Sequence, residues 1–203
     1  MTKQTVTFHS IAEIKPLLQK IQDLIYERIS KNPDITYLLL LVCGLLNKTY
    51  ELTETALWAI ENNRPQTTTF MLRGLYETLA YTYHAKDKIL NAKSKEEHDQ
   101  VISSLLLGTK KPGGKYPSVN ILTCIDKASK TFTELRKNYD ELSELVHPNS
   151  ASHFYVAVPD SEKEMTISLR IPFYQFKESD KEKSLNQIGE CCLHVIRLCA
   201  EII

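Results

Sequence analysis

The stretch "DITYLLLLVCGLLNKTYELTETALWAIEN" (34–62) decides the fold class. Its first part is apolar on nearly every side, and its second part repeats apolar residues at the 3.6-residue period of an amphipathic helix. Asp34 is a suitable N-cap, so we predict one long helix reaching about Asn62 and expect it to be the most buried element. The apolar run Tyr37–Leu46 has 10 residues, whereas a membrane-spanning helix needs about 20. We therefore expect no contact with a membrane.

The segments on both sides of this helix also have helical patterns. Ser10, followed by Glu13, predicts a first helix that ends near Ser30. Arg64-Pro65 starts a third helix that ends near Lys88. Further helices are predicted at Ser94–Leu107, Ser118–Lys137 and Tyr139–Val146, and over the C-terminal segment "KEKSLNQIGECCLHVIRLCAEII".

One segment has the two-residue period of β-strands. "HFYVAV" and "MTISLRI" alternate polar and apolar residues around the turn "PDSEKE", which predicts a β-hairpin at about 153–171. The predicted fold is mainly α: a single up-and-down helical bundle over residues 1–203, with this small hairpin inserted before the C-terminal helix.

Composition excludes several function classes. Lysines plus arginines equal aspartates plus glutamates at 25 each, so no global field steers the chain toward nucleic acid or an anionic membrane. The five cysteines include no C-x-x-C pair, which is typical of a reducing compartment and not of a zinc ribbon. With no signal-peptide pattern at the N-terminus, we expect a cytoplasmic protein. H-E-x-x-H, Walker, Rossmann and G-x-S-x-G patterns are absent from the sequence, so we expect no metal and no cofactor.

Ionisable residues form a stripe along the third helix. Arg73, Glu77 and His84 lie within about 40° of one another, opposite the apolar face, and Tyr81 lies at the edge of the stripe. Polar residues on a helix usually face water, and the stripe fits that interpretation. It equally fits the wall of a pocket, because Phe70 and Tyr81 make it richer in apolar groups than an ordinary solvent face.

A second group of polar residues surrounds the end of the predicted sixth helix. His147 precedes Pro148, which biases its backbone toward an extended conformation and lets its ring project from the helix end. An imidazole there can act as an acid, a base or a hydrogen-bond partner, or it can simply cap the helix dipole. Tyr139 and Ser143 lie eight and four residues earlier, on the same side, and Asn149 can stabilise the turn.

These motifs resemble a known family. R-x-x-x-E on a long helix (Arg73, Glu77), followed by Y-x-x-L-S-x-x-V-H-P (139–148), resembles a family of bacterial helical proteins related to the HEPN superfamily, the higher eukaryotes and prokaryotes nucleotide-binding domains. The resemblance implies a helical bundle that is commonly a homodimer. It also implies either a metal-independent ribonuclease of RNA processing, phage defence or toxin–antitoxin systems, or an inactive binding module.

The spacing of arginine and histidine departs from the superfamily pattern. Its ribonucleases place the two residues four to six positions apart on one helix, whereas Arg73 to His84 and Arg136 to His147 each leave ten intervening residues. The resemblance therefore implies a site assembled across helices, with Arg73, Glu77 and His147 catalytic and with Tyr81, His84, Tyr139, Ser143 and Asn149 binding.

Three functions remain open from the sequence. The first is a ribonuclease in which His147 assists attack by a 2′-hydroxyl, Arg73 stabilises the phosphorane and Glu77 orients Arg73. The second is a non-catalytic bundle that binds a nucleotide, RNA or a protein partner through the same residues. The third is a structural module that dimerises through the edge of the hairpin.

Overall fold

A computed structural model describes residues 6–31, 34–109, 114–146, 157–161, 164–169 and 176–203 of the chain. Seven helices and two strands lie in these ranges. The helices are α1 (Ile11–Lys31), α2 (Tyr37–Glu61), α3 (Pro65–Leu90), α4 (Lys95–Leu107), α5 (Ile121–Ala128), α6 (Leu135–Val146) and α7 (Glu178–Ile202). The mainly α-helical fold class is therefore confirmed.

The strands β1 (Ala157–Ser161) and β2 (Glu164–Leu169) occupy part of the predicted hairpin segment, 153–171. They pair antiparallel, with Ala157 opposite Leu169 and Pro159 opposite Ile167, and the register is irregular between Pro159 and Ser161. Pro159–Ser161 belong to β1, although the sequence pattern assigned them to the turn. The other residues of the segment lie outside the described ranges.

Local capping signals predicted several helix starts correctly. Ser94 accepts a hydrogen bond from the backbone N–H of Glu97 at 3.1 Å and caps α4, and Pro65 occupies the first turn of α3. Glu13 reaches back to accept from the backbone N–H of His9 at 2.7 Å at the start of α1. The predicted cap of α2 is wrong by two residues, because Thr36 rather than Asp34 accepts from Leu39 N–H.

The centre of the bundle is α3, whereas α2 was expected to be the most buried element. α3 packs against α2, α4, α5, α6 and α7, whereas the main packing partners of α1 are α2 and α7. The first part of α2 has an exposed face that includes Tyr37 and Leu40, 58% and 48% exposed. Apolar composition predicted burial on every side of α2, but the neighbouring helices cover only part of it.

The predicted boundary between the fifth and sixth helices is also wrong. α5 ends at Ala128, and turns carry the chain to Leu135, so Lys137 lies in α6. The ring of Phe132 packs in this turn between Tyr83 and His194, with centroid distances of 5.8 and 4.8 Å. Burial of Phe132 by residues distant in sequence outweighs the helical pattern that runs through the segment.

The start of α3 is tied to both α2 and the segment before α7. Asn63 has a left-handed backbone with φ 57°, a conformation that asparagine tolerates, in the tight turn between α2 and α3. Its side-chain oxygen accepts from the backbone N–H of Phe176 at 2.9 Å. This bond holds the turn before α3 beside the segment that leads into α7.

Candidate functional site

The C-terminal end of α6 lies beside the N-terminal half of α3, because the two helices pack antiparallel. Asn138, early in α6, donates to the hydroxyl of Tyr76 at 3.1 Å. Later in α6, Leu142 and Leu145 line the same cavity as Pro65 and Thr69 of α3. The guanidinium of Arg73 reaches Tyr139 in the first half of α6 and Glu77 one turn later in α3.

Arg73, Glu77 and Tyr139 form a triangle of two hydrogen bonds and one ion pair across this contact. Arg73 Nη2 donates to the Tyr139 hydroxyl at 3.4 Å, and that hydroxyl donates to Glu77 Oε1 at 3.2 Å. Arg73 Nε lies 3.3 Å from the same carboxylate oxygen, and the guanidinium carbon lies 5.5 Å from the centre of the tyrosine ring. The side chains of Arg73 and Glu77 are 25% and 29% exposed, and Tyr139 is buried. This part of the polar stripe is therefore not an ordinary solvated face.

Two buried polar atoms, one in this contact and one farther along α6, lack a hydrogen-bond partner among the described residues. One is Arg73 Nε, whose N–H is not aimed at Glu77 despite the short distance, and the other is Ser143 Oγ. Ser143 lies one helical turn beyond Tyr139, toward the end of α6. Buried polar atoms normally have a hydrogen-bond partner, so these two atoms are exceptions within the described part of the chain.

Tyr81 lies away from the triangle and holds α4 in place. Its hydroxyl donates to the backbone oxygen of Leu105 at 2.5 Å, in the last turn of α4, where carbonyls lack intrahelical partners. Burial raises the pKa of Tyr81 to about 12, with a smaller contribution from Cys124. The hydroxyl is therefore a permanent donor at neutral pH.

His84 also lies apart from Arg73, by eleven residues, or roughly 16 Å along α3. It is 7% exposed, and its Nδ1 has no hydrogen-bond partner among the described residues. Burial lowers its pKa below the usual value, and the nearby positive charges of Lys127 and Lys88 lower it further. The structure thus places His84 in the packed end of the stripe and not with the triangle.

We expect His84→Leu to reduce the acid sensitivity of the fold. Because the pKa of His84 is lower in the folded chain, the unfolded chain binds the proton first, and stability falls as pH falls below about 6.5. Thermal unfolding measured between pH 7.5 and 5 should show a smaller drop in Tm for the variant than for wild type. His98→Leu, at a half-exposed histidine of α4, is the matched control and should retain the wild-type drop. An equal drop in wild type and His84→Leu would contradict the prediction.

Two of the predicted site residues, His147 and Asn149, lie outside the described residues. His147 directly follows Val146, the last residue of α6. Three of the predicted residues, Arg73, Glu77 and Tyr139, thus meet in one α3–α6 contact, and Ser143 lies one turn beyond Tyr139 in α6. Tyr81 and His84 lie farther along α3.

A cavity of 230 Å³ lies on the other flank of the same contact. Its wall includes Leu72 of α3, Asn138 of α6 and Ser184 of α7, and Lys183 lies 3.4 Å from Glu141 across helices. Burial also raises the pKa of Tyr76, which accepts from Asn138. Sequence reasoning missed these residues because no local pattern shows that three distant helices meet there. Arg73 and Glu77 are not among the lining residues.

In the described ranges, no group of three or more His, Cys, Asp or Glu side chains is arranged to hold a metal ion. No helix there combines the length and the apolarity needed to cross a bilayer. All five cysteines are free, and four of them are buried.

Comparison of the chain with protein-family models, with curated proteins and with solved structures gave no significant match.

Proposed function

We propose that the chain is a metal-independent, HEPN-like ribonuclease whose site combines Arg73 and Glu77 of α3 with His147. The observation that carries the proposal is the half-buried guanidinium of Arg73 in the contact between α3 and α6, the helix that His147 follows in the sequence, with an Nε–H that lacks a hydrogen-bond partner among the described residues. A guanidinium offers several donors in one plane and suits phosphate recognition. Glu77 and Tyr139 restrict its rotation, which favours a preorganised anion site.

The proposed reaction needs only the RNA and side chains of this protein. The 2′-hydroxyl attacks the adjacent phosphorus, the bond to the 5′-oxygen breaks, and the products are a 2′,3′-cyclic phosphate and a free 5′-hydroxyl. His147 either accepts the proton of the 2′-hydroxyl or donates a proton to the leaving 5′-oxygen, with water serving at the other position. Arg73 stabilises the additional negative charge on the phosphorane oxygens.

The test is cleavage of a mixed pool of end-labelled RNA by the full chain in the presence of EDTA. Wild type should produce fragments that end in cyclic phosphate, and His147→Ala should cleave about 100-fold more slowly, as expected when a general acid or base is lost. Circular dichroism would establish that both proteins are folded. Equal cleavage by wild type and His147→Ala would show that His147 is not the catalytic residue.

A non-catalytic bundle that binds a nucleotide, RNA or protein partner is the second candidate. One observation favours it: Arg73 already contacts Glu77 at 3.3 Å, which offsets part of the positive charge available to a phosphate. Binding of RNA without cleavage by folded wild type would identify this function and overturn the ribonuclease.

We also infer an up-and-down, HEPN-like homodimer with a hairpin insertion, located in the cytoplasm. The free cysteines support a reducing compartment. The exposed Tyr37 and Leu40 of α2 support a contact between subunits, and the paired strands β1 and β2 offer an alternative edge for dimerisation.

A further inference from the structure

Phe70 is a half-exposed aromatic residue that lies next to Arg73 on α3. Its exposed fraction is 49%, and it precedes Arg73 by three residues and Glu77 by seven, so all three lie along one line of the helix. Residues three apart on a helix have β-carbons about 5–6 Å apart. Phe70 and Arg73 are therefore close enough to contact the base and the phosphate of neighbouring nucleotides.

Trp58 of α2 adds a second exposed ring to the same side of the bundle. α2 and α3 pack antiparallel. Leu52 of α2 lies opposite Gly74 of α3, since a β-carbon built at Gly74 would lie 3.1 Å from the Leu52 side chain. Trp58, six residues after Leu52, is therefore at nearly the same height along the helix pair as Phe70, four residues before Gly74. At about 100° per residue, Trp58, Phe70 and Arg73 all lie on the same side of the α2–α3 contact. Trp58 is 53% exposed and is the only tryptophan of the chain.

Exposed apolar side chains are common, so the exposure of Phe70 and Trp58 alone does not indicate a binding site. Their position beside Arg73 is the more informative observation. Leu122 of α5, 44% exposed, illustrates the ordinary case of a single apolar residue at the surface. Phe70 differs because it is aromatic and adjoins an arginine whose buried Nε–H is unpaired among the described residues. Aromatic faces beside a cationic group are the arrangement that binds single-stranded nucleic acids.

We propose that Phe70 is the platform on which an unpaired RNA base stacks while Arg73 binds the adjacent phosphate. The inference rests on the proposed ribonuclease function and specifies its substrate class as single-stranded RNA. A base in a duplex is stacked on its neighbours and is not free to cover Phe70, so paired RNA is excluded from this position. Phe70 acts here as a binding residue and takes no part in proton transfer.

The test measures the steady-state cleavage of a single-stranded oligoribonucleotide and of the same strand in a duplex. Phe70→Ala should raise KM for the single strand about 10-fold to 100-fold with little change in kcat, because the lost stacking contributes to substrate binding. Phe70→Tyr should restore the wild-type KM, and Leu122→Ala should leave it unchanged. The duplex should be cut poorly by every variant.

Trp58 fluorescence gives a second readout, free of turnover, in the His147→Ala chain. Quenching by the single strand should require about 10-fold to 100-fold more RNA when Phe70→Ala is added. If Phe70→Ala cleaves RNA with an unchanged KM and shows an unchanged fluorescence titration, Phe70 is not the stacking residue. The proposed ribonuclease function would not be affected by that result. Equal cutting of duplex and single strand would also overturn it. Wild type that neither binds nor cleaves RNA would overturn the stacking position and the proposed function together.

Discussion

Replacing Gly189 by alanine is expected to destabilise the fold by about 1 to 3 kcal/mol. Gly189 lies in α7 under the ring of Phe8, and a β-carbon built at this position overlaps the ring: Cδ1 is 2.9 Å away, and Cγ and Cδ2 are nearer. Phe8 is 5% exposed, and its backbone N–H donates to Asn186 Oδ1 at 2.9 Å. The alanine methyl group therefore requires either displacement of Phe8 or a shift of α7. Urea denaturation of the wild type and the variant would measure the loss.

The matched control is Gly44→Ala, a second glycine-to-alanine change inside a long helix. A β-carbon at Gly44 meets no atom within 4 Å, and the residue is exposed on α2. Alanine has the higher helix propensity, so this change should stabilise the chain by about 0.5 to 1 kcal/mol. Opposite signs for the two substitutions are the expected result.

A double-mutant cycle locates the cause in Phe8. If the alanine methyl group destabilises the fold because it overlaps the Phe8 ring, Gly189→Ala should lower the free energy of unfolding much less in a Phe8→Ala background than in wild type. The same cost in both backgrounds would show that Gly189 is required for another reason, and the packing explanation would be wrong.

Helix starts were predictable because the capping residue and its partner are neighbours in the sequence. Ser94 and Glu97, or Pro65 at the first turn of α3, need no tertiary contact to indicate a helix start. The break between α5 and α6 depends on Phe132, which packs against Tyr83 and His194, and no local pattern reports those partners. Helix starts, which depend on local interactions, could thus be predicted from the sequence, whereas the break between α5 and α6, which depends on tertiary contacts, could not.

The polar stripe of α3 shows the same limit for the candidate site. Helical periodicity correctly indicated that Arg73, Glu77 and His84 share one side, but it does not say which helix covers each of them. Arg73 and Glu77 meet Tyr139 of α6, whereas His84, three turns away, is buried near Lys127 of α5. Residues at the same helical angle therefore have different neighbours. The catalytic and binding roles of the predicted residues stay predictions.

For the proposed ribonuclease, Arg73→Ala is expected to lower the rate of RNA cleavage by about 100-fold to 1,000-fold, the cost typical of losing one preorganised donor to a developing oxyanion. Arg73 lies in the α3–α6 contact with 25% of its side chain exposed, and its guanidinium is the group that we propose to bind a phosphate oxygen. The fold should survive, because Tyr139 and Glu77 remain hydrogen-bonded to each other without it. Cleavage rates under single-turnover conditions, together with the Tm of each protein, would measure both effects.

Arg136→Ala is the control that separates catalysis from the loss of an arginine in general. Like Arg73, Arg136 pairs with an acidic residue four positions later: its Nε lies 2.8 Å from Asp140 Oδ2, and its Nη1 also contacts Asp126. Its side chain is 43% exposed, and pairs of this kind contribute about 0 to 1 kcal/mol to stability. We therefore expect Arg136→Ala to cleave RNA at close to the wild-type rate. Equal rates for Arg73→Ala and Arg136→Ala, with both proteins folded, would remove Arg73 from the catalytic site and leave the α3–α6 triangle with a structural role only.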